Sequence, residues 1–254
     1  MSRFIYVFSL FSLFLLGCGR KFNSGVQSPT ASQSQAPAFP TYPARPSSAP
    51  NITVCPQNGV TSGVDVSEYD PGTQWTVFRN SGSRFAFIKA TEGTDIKNQI
   101  FNSEWTAALS AGVIRGAYHF FHPGEDPVAQ AQFFLATVGT LTASDLPPVL
   151  DWEVTDGVST AEQIKNALTW LQLVQAQTGR TPAIYVNPSF WNQLGNPQQF
   201  AKYPLYIANY NTTCPTVPPP WSTWTFWQSG IGAVPGLQSP YADIDVFNGP
   251  ASAL

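Results

Sequence analysis

The sequence predicts an α/β fold, a modified (β/α) TIM-like barrel with eight strands and about five helices. Three features predict it. Eight short apolar runs, rich in β-branched residues, recur after residue 60. Helical patterns separate the earlier ones. After residue 200 the helices run out, and Pro215, Pro218, Pro219 and Pro220 exclude one there. Strand–helix alternation favours a parallel sheet, and eight strands favour closure. A doubly wound open sheet is the alternative, but no Gly-rich phosphate turn follows the first run.

The expected strands are Gly63–Val66, Phe85–Ala90, Ile114–Phe120, Pro148–Glu153, Ala183–Asn187, Leu205–Tyr210, Thr225–Gln228 and Ile244–Phe247. Helical patterns cover Thr73–Asn80 and Gln99–Ala111. Another helix begins at Asp126-Pro127, where Asp can cap and Pro fits the first turn. A fourth begins at Ser159, with Glu162 completing a capping box. Its Ile164, Ala167, Leu168, Leu171 and Val174 recur at helical spacing. Gly179 can end it at positive φ. Pro188–Leu194 holds a short fifth helix.

The N-terminal part has a different organisation. Arg3 and the apolar run Phe4 to Leu16 read as an export signal, because the run is too short to span a bilayer. Leu15-Leu16-Gly17-Cys18-Gly19 resembles the bacterial lipobox, in which the cysteine is lipidated and becomes the mature N-terminus. Ordinary cleavage with release, or a retained anchor, are the alternatives. The expected divisions are a signal peptide over 1–17, lipidated Cys18 with a Pro/Ser/Gln/Ala-rich tether over 18–54, and a catalytic domain over 55–254. The tether has no hydrophobic period, and in polyproline II form it reaches about 90 Å. Of three cysteines, Cys55 and Cys214 remain once Cys18 carries lipid. An exported chain can join them as a disulfide; two unpaired buried thiols are the alternative.

Net charge is −3, and 11% of residues are charged, with no basic block to suit nucleic acid. The 8 Trp and 9 Tyr suit stacking on sugar rings, although core packing accounts for most aromatics. There are only 15 acidic residues. Six fall near expected strand ends, where (β/α) barrels gather their chemistry. Asp65 ends the first strand, Glu92 follows the second, Asp151 and Glu153 end the fourth, and Asp243 and Asp245 flank the start of the last. Each alone could be a cap or a solvated end.

Asp151-Trp152-Glu153 is the sharpest feature. Residues i and i+2 of a strand share a face, so Val149, Asp151 and Glu153 point one way and Leu150 and Trp152 the other. Two crowded carboxyls repel as anions, so one keeps a proton towards neutral pH. A protonated acid beside an anion is what glycosidic cleavage needs. A solvated strand end, or a salt bridge to Lys89 or Arg115, is the structural alternative.

The order Gly63-Val64-Asp65-Val66-Ser67, Phe87-Ile88-Lys89-Ala90-Thr91-Glu92-Gly93, Gly116-Ala117-Tyr118-His119-Phe120, Leu150-Asp151-Trp152-Glu153, Ile184-Tyr185-Val186-Asn187 and Ala242-Asp243-Ile244-Asp245-Val246-Phe247-Asn248-Gly249 resembles the glycoside hydrolase family 25 lysozymes. The match runs through residues 60–250 in order. The resemblance implies an N-acetylmuramidase, cutting the β-1,4 bond between N-acetylmuramic acid and N-acetylglucosamine, on a barrel with fewer than eight helices. It implies that Glu153 is the general acid and base, that Asp151 assists through the substrate N-acetyl group or stabilises charge, and that Asp65 and Asp243 complete a carboxylate ring. Glu92, Tyr118, Tyr185, Asn209, Trp227 and Gln228 become substrate-shell residues, with barrel packing as their alternative.

Two positions depart from the family pattern. Asp245 stands where Asn is common, and Asn209 where Gln is common. The extra carboxylate at Asp245 would favour glycans bearing free amines.

Other chemistries are weaker. His119 and His122 near Glu125 and Asp126 raise a zinc site, as in a metal-dependent deacetylase, but no metal is expected. No G-x-S-x-G elbow is present, and no cysteine lies near a strand end that faces either histidine. No cofactor is expected. The expected partners are peptidoglycan strands and, through the lipid, a membrane facing the periplasm or cell surface; the chain is expected to act as a monomer. A catalytically dead wall-binding lipoprotein, and a glycosidase for another aminoglycan, are the competing functions.

Overall fold

Period-2 alternation along eight strands separates two cores in the computed structural model, which describes residues 39–56 and 59–254. The export signal and Cys18 lie outside the described residues. In chain order the strands are β1 (Ile52–Thr53), β2 (Thr61–Val66), β3 (Phe85–Glu92), β4 (Ile96–Lys97), β5 (Ile114–Phe120), β6 (Val149–Asp151), β7 (Ala183–Val186), β8 (Leu205–Ala208), β9 (Thr216–Val217), β10 (Phe226–Gly232) and β11 (Ala242–Phe247). The barrel order is β2-β11-β10-β8-β7-β6-β5-β3, and β3 pairs with β2 to close it. All eight expected runs are barrel strands.

Inward positions fill the barrel with Phe85, Phe87, Phe226, Phe247, Tyr206 and their neighbours. Outward positions such as Ala86, Ile88, Leu150, Trp152, Ile184 and Ile207 pack against the helices. Two glycines make room inside. A Cβ on Gly63 would lie 2.5 Å from the Phe85 ring, and one on Gly116 2.4 Å from Phe87. Any side chain there would displace the aromatic floor.

The five helices are α1 (Trp75–Asn80), α2 (Phe101–Ser110), α3 (Pro127–Val138), α4 (Thr160–Thr178) and α5 (Pro188–Gln193). Local chemistry sets their ends. Asp126 accepts from the backbone N–H of Val128 and Ala129. Ser159 accepts from that of Glu162, and Gly179 ends α4 at φ 69°. Asn187, expected to finish a strand, caps α5 by accepting from the Phe190 N–H at 2.9 Å.

One topological expectation is corrected. The sheet is not wholly parallel: β11 runs antiparallel to both β10 and β2. Its start therefore lies at the same end of the barrel as the C-terminal ends of the parallel strands. The loss of helices after residue 200 is the cause, because without a crossover the chain returns from β10 by a short connection.

The boundary at Cys55 is also too late. The segment before it packs on the barrel, although its composition reads as tether. The Phe39 ring lies 5.6 Å from Phe226 and 5.8 Å from Phe247, at the end opposite the mouth. Arg45 donates to the Trp221 carbonyl at 2.8 Å. β1 pairs with β9, and the Cys55–Cys214 disulfide lies next to that pair. The bond links residues 159 apart. Replacing both cysteines by serine should lower unfolding free energy by about 2–5 kcal/mol without changing the fold, read by denaturant titration. An unchanged midpoint would mean that the cross-link contributes nothing.

Candidate active site

Four acids converge at the barrel mouth. Asp65 ends β2, Asp151 ends β6, Glu153 follows two residues on, and Asp243 begins β11. The antiparallel register sets Asp243 opposite Asp65. In an all-parallel barrel the start of the last strand would lie at the far end, so the reversal of β11 completes the ring. All four line one pocket of about 270 Å³. Its walls carry Tyr118, Tyr185, Tyr206 and Tyr210, which offer sugars both ring faces and hydroxyls.

Gln228 organises one side. Its amide donates to Asp65 Oδ2 at 2.7 Å, and its Oε1 accepts from the Tyr185 hydroxyl at 2.7 Å and from the Tyr210 hydroxyl. The Tyr206 hydroxyl donates to the same Asp65 oxygen at 3.3 Å. Burial, and then the charge of Asp243, push the Asp65 carboxyl up to about 7, against the pull of these donors. Burial and then Asp70 bring Asp243 up to about 6.

Asp151 and Glu153 behave as a pair. Asp151 is buried at the pocket floor, Glu153 is open at its lip, and Trp152 points away into the core. The Trp152 N–H donates to the Tyr185 carbonyl at 3.0 Å, which holds the chain against β7 beyond the strand end. Neither salt bridge of the structural alternative forms among the described residues. Arg115 pairs with Asp145 at 2.7 Å, and Lys89 pairs with Glu92 at 2.7 Å and Glu68 at 3.4 Å. Both carboxyls therefore stay above their usual range. Burial raises each first; the charge of Glu153 raises Asp151 further, and the hydrogen bond from Asp151 draws Glu153 back down. Charge on either carboxyl opposes ionisation of the other, so the two titrate as a pair.

Tyr118, Tyr185 and Gln228 take the places expected of them. Four other residues do not line the pocket. Trp227 faces outward because Phe226 and Gln228 face inward; its indole donates to the Asn209 carbonyl. Asn209 is likewise out of phase with Tyr206 and Ala208, and its Oδ1 accepts from the Thr216 N–H. Glu92 is engaged with Lys89 and, at 3.4 Å, with His122. Asp245 faces inward but lies beneath the pocket, fully buried. Burial and then the charge of Asp65 raise its carboxyl well above the usual range, and its place under the pocket keeps it from contact with a sugar amine.

Tyr206 and Lys89 were detectable by parity, because each stands two residues from an inward position, Ala208 and Phe87 respectively. Tyr210 and Tyr69, on the loops after β8 and β2, carried no periodic signal.

Among the described residues neither histidine belongs to a group of three or more His, Cys, Asp or Glu side chains placed to hold a metal ion. His119 is buried against Trp170, between Thr91 Oγ1 at 2.8 Å and Gln130 Oε1 at 3.0 Å, and burial brings it down to about 4. His122 contacts Asp156 and Glu92.

The raised carboxyls have a consequence for stability. Asp65, Asp151, Asp243 and Asp245 all bind protons more tightly folded than unfolded. Their contribution is complete below the unfolded value, near ~4, and is lost as pH rises through 6 and 7. Glu92 and His119 are shifted down and act oppositely: Glu92 only as pH falls below its ordinary range, and the single His119 as pH falls below ~6.5, which offsets part of the effect of the four carboxyls. The denaturation midpoint should therefore be lower at pH 8 than at pH 5. Equal midpoints would contradict the charge arrangement described.

A closed barrel whose mouth gathers paired carboxyls with raised proton affinity among tyrosines has the arrangement of a glycoside hydrolase. The model for "Glycosyl hydrolases family 25" matches residues 64–236, and the chain belongs to that family. It is 37% identical over 208 residues to Lysozyme M1 of Streptomyces globisporus, covering 76% of this chain and 69% of that one. It is 35% identical over 216 residues to an N,O-diacetylmuramidase of Arthroderma benhamiae, covering 81% and 90%. The structure is similar to that of the bacterial lysozyme from Streptomyces coelicolor, with a TM-score of 0.73, 37% identity, and coverage of 76% and 94%.

Proposed function

We propose that this chain hydrolyses the β-1,4 bond between N-acetylmuramic acid and N-acetylglucosamine in peptidoglycan. The Asp151–Glu153 pair, with no salt bridge to a base among the described residues and with Asp65 and Asp243 in the same pocket, carries the reading. Relatives named lysozyme and N,O-diacetylmuramidase support the substrate class.

Glu153, at the open lip, passes a proton to the leaving glycosidic oxygen, and Asp151 below it replenishes or restrains that proton. As the bond breaks, positive charge grows at the anomeric carbon, and the anionic members of the ring stabilise it. Water supplies the hydroxyl that ends on that carbon and the proton that returns to the pair. Tyr118, Tyr185 and the Gln228 network shape the pocket around the sugar. Because Asp245 is covered and does not line the pocket, it presents no charge to a free amine there, and an acetylated glycan suits the proposed site.

The enzyme works outside the cytoplasm, as a monomer, held by lipid on Cys18 through a tether that ends where Phe39 docks. Incorporation of labelled palmitate into wild type but not Cys18→Ala supports the anchor; labelling of neither overturns it. The function is tested by incubating the chain with purified peptidoglycan and weighing the released fragments. Muropeptides with N-acetylmuramic acid at the reducing end support the proposal. N-acetylglucosamine reducing ends, or binding to the wall with no release, overturn it.

A further inference from the structure

Glu153 stands on a loop, not on a strand. β6 ends at Asp151, and α4 begins at Thr160. Trp152 is held from below, because its side chain is buried in the core and its N–H donates to the Tyr185 carbonyl at 3.0 Å. The next three backbone N–H groups, those of Glu153, Val154 and Thr155, have no backbone acceptor among the described residues. What fixes this stretch therefore lies at its far end.

That end is Asp156. Thr155, Asp156, Gly157 and Val158 make a tight turn, closed by the Val158 N–H to the Thr155 carbonyl at 3.1 Å. Asp156 and Gly157 both take positive φ, 47° and 73°, as a type I′ turn requires. The Asp156 side chain crosses to the loop after β5. Its Oδ2 accepts from the Gly124 N–H at 3.0 Å, and its Oδ1 meets His122 Nδ1 at 3.1 Å. The two loops approach closely: a Cβ on Gly124 would lie 2.9 Å from that of Asp156.

The loop after β5 is itself tied down on three sides. The Phe121 N–H donates to the Asp151 carbonyl at 2.8 Å. Gln130 of α3 accepts from the His122 N–H at 3.0 Å and donates to the His122 carbonyl at 2.8 Å. Asn166 of α4 donates to the Pro123 carbonyl at 2.9 Å. Asp156 thus fastens a loop with few bonds of its own to one with many, through hydrogen bonds to a carboxylate, which are among the stronger ones.

We propose that Asp156 is a positioning residue: its carboxylate, fastened to Gly124 and His122, holds the loop that carries Glu153 so that the Glu153 carboxyl stays within reach of the glycosidic oxygen. It touches no substrate and transfers no proton. The inference rests on the reading in which Glu153 is the acid, a role that demands hydrogen-bond reach of the leaving oxygen.

The test uses the full chain. Asp156→Gly keeps the turn, since Gly takes positive φ readily, and removes the fastening. It should lower kcat for muropeptide release about 10–100-fold, with KM within about twofold of wild type. Asp156→Asn tolerates the same turn and can still accept from Gly124, so it should keep kcat within about threefold. His122→Ala leaves the turn untouched and removes one of the two donors. It should cost less than Asp156→Gly, and the double variant should lose no more than Asp156→Gly alone. An unchanged kcat in Asp156→Gly, a loss that falls on KM, or an equal loss in Asp156→Asn would overturn the proposal.

A second measurement does not depend on turnover. Backbone order parameters of Glu153, Val154 and Thr155, from nitrogen-15 relaxation, should be about 0.85 in the wild type and in Asp156→Asn, and should fall below about 0.6 in Asp156→Gly. Low values already in the wild type, or values unmoved by the Gly substitution, would overturn the fastening. If the wild type releases no muropeptides while the order parameters respond as stated, the glycosidase reading fails and the fastening of the loop stands.

Discussion

Glu153→Gln is expected to lower kcat for muropeptide release on the order of 10³-fold or more, with KM and wall binding little changed. Gln has the same shape and can still hydrogen-bond, but it has no proton to give to the leaving oxygen. A glycosidic oxygen expelled without a proton is a strongly basic alkoxide, so the loss falls on the chemical step and not on binding. Glu153 stands open at the pocket lip and contributes nothing to the buried core, so the fold should be unaffected. Initial rates of soluble muropeptide release give kcat, and co-sedimentation with the wall gives binding. A variant that keeps a tenth of the wild-type rate would remove Glu153 from the role of acid.

Asp151→Asn is expected to cost about 10²–10³-fold in kcat and, more diagnostically, to move the alkaline limb of the pH–rate profile to lower pH. The sign follows from the pair. In the wild type the second proton leaves against the charge of the first carboxylate, which raises the pair's upper apparent value. Asn cannot ionise, so Glu153 loses its proton without that opposition and does so at lower pH. Asn still donates a hydrogen bond, which favours the Glu153 anion further. An alkaline limb that stays in place would show that the two carboxyls titrate independently and that Asp151 acts through the substrate alone.

Much of the site was legible because alternation in a strand is a local property. Asp151 and Glu153 share a face whatever the rest of the chain does, and Trp152 between them is driven into the core for the same reason. The same rule, applied strictly, removes Trp227 and Asn209 from the pocket and admits Tyr206 and Lys89. The resemblance alone places Trp227 and Asn209 in the substrate shell, and strand parity turns both side chains away from the pocket. Asp245 was different. Its parity was right and its depth was wrong, because depth depends on strand direction and register, which no window of residues contains.

The sequence by itself determined the eight strands, the five helices with the ends set by Asp126, Ser159 and Gly179, and the acid pair, since propensity, capping and period-2 alternation act within a few residues. Only the tertiary structure decided that β11 runs backward, which lifts Asp243 to the mouth beside Asp65 and leaves Asp245 beneath it. It also decided that residues from Phe39 onward dock on the barrel, and that Arg115 and Lys89 are engaged away from the acid pair. The physical reason is the same in each case. These outcomes rest on contacts between residues far apart in the chain, whose energies exist only once the barrel has closed.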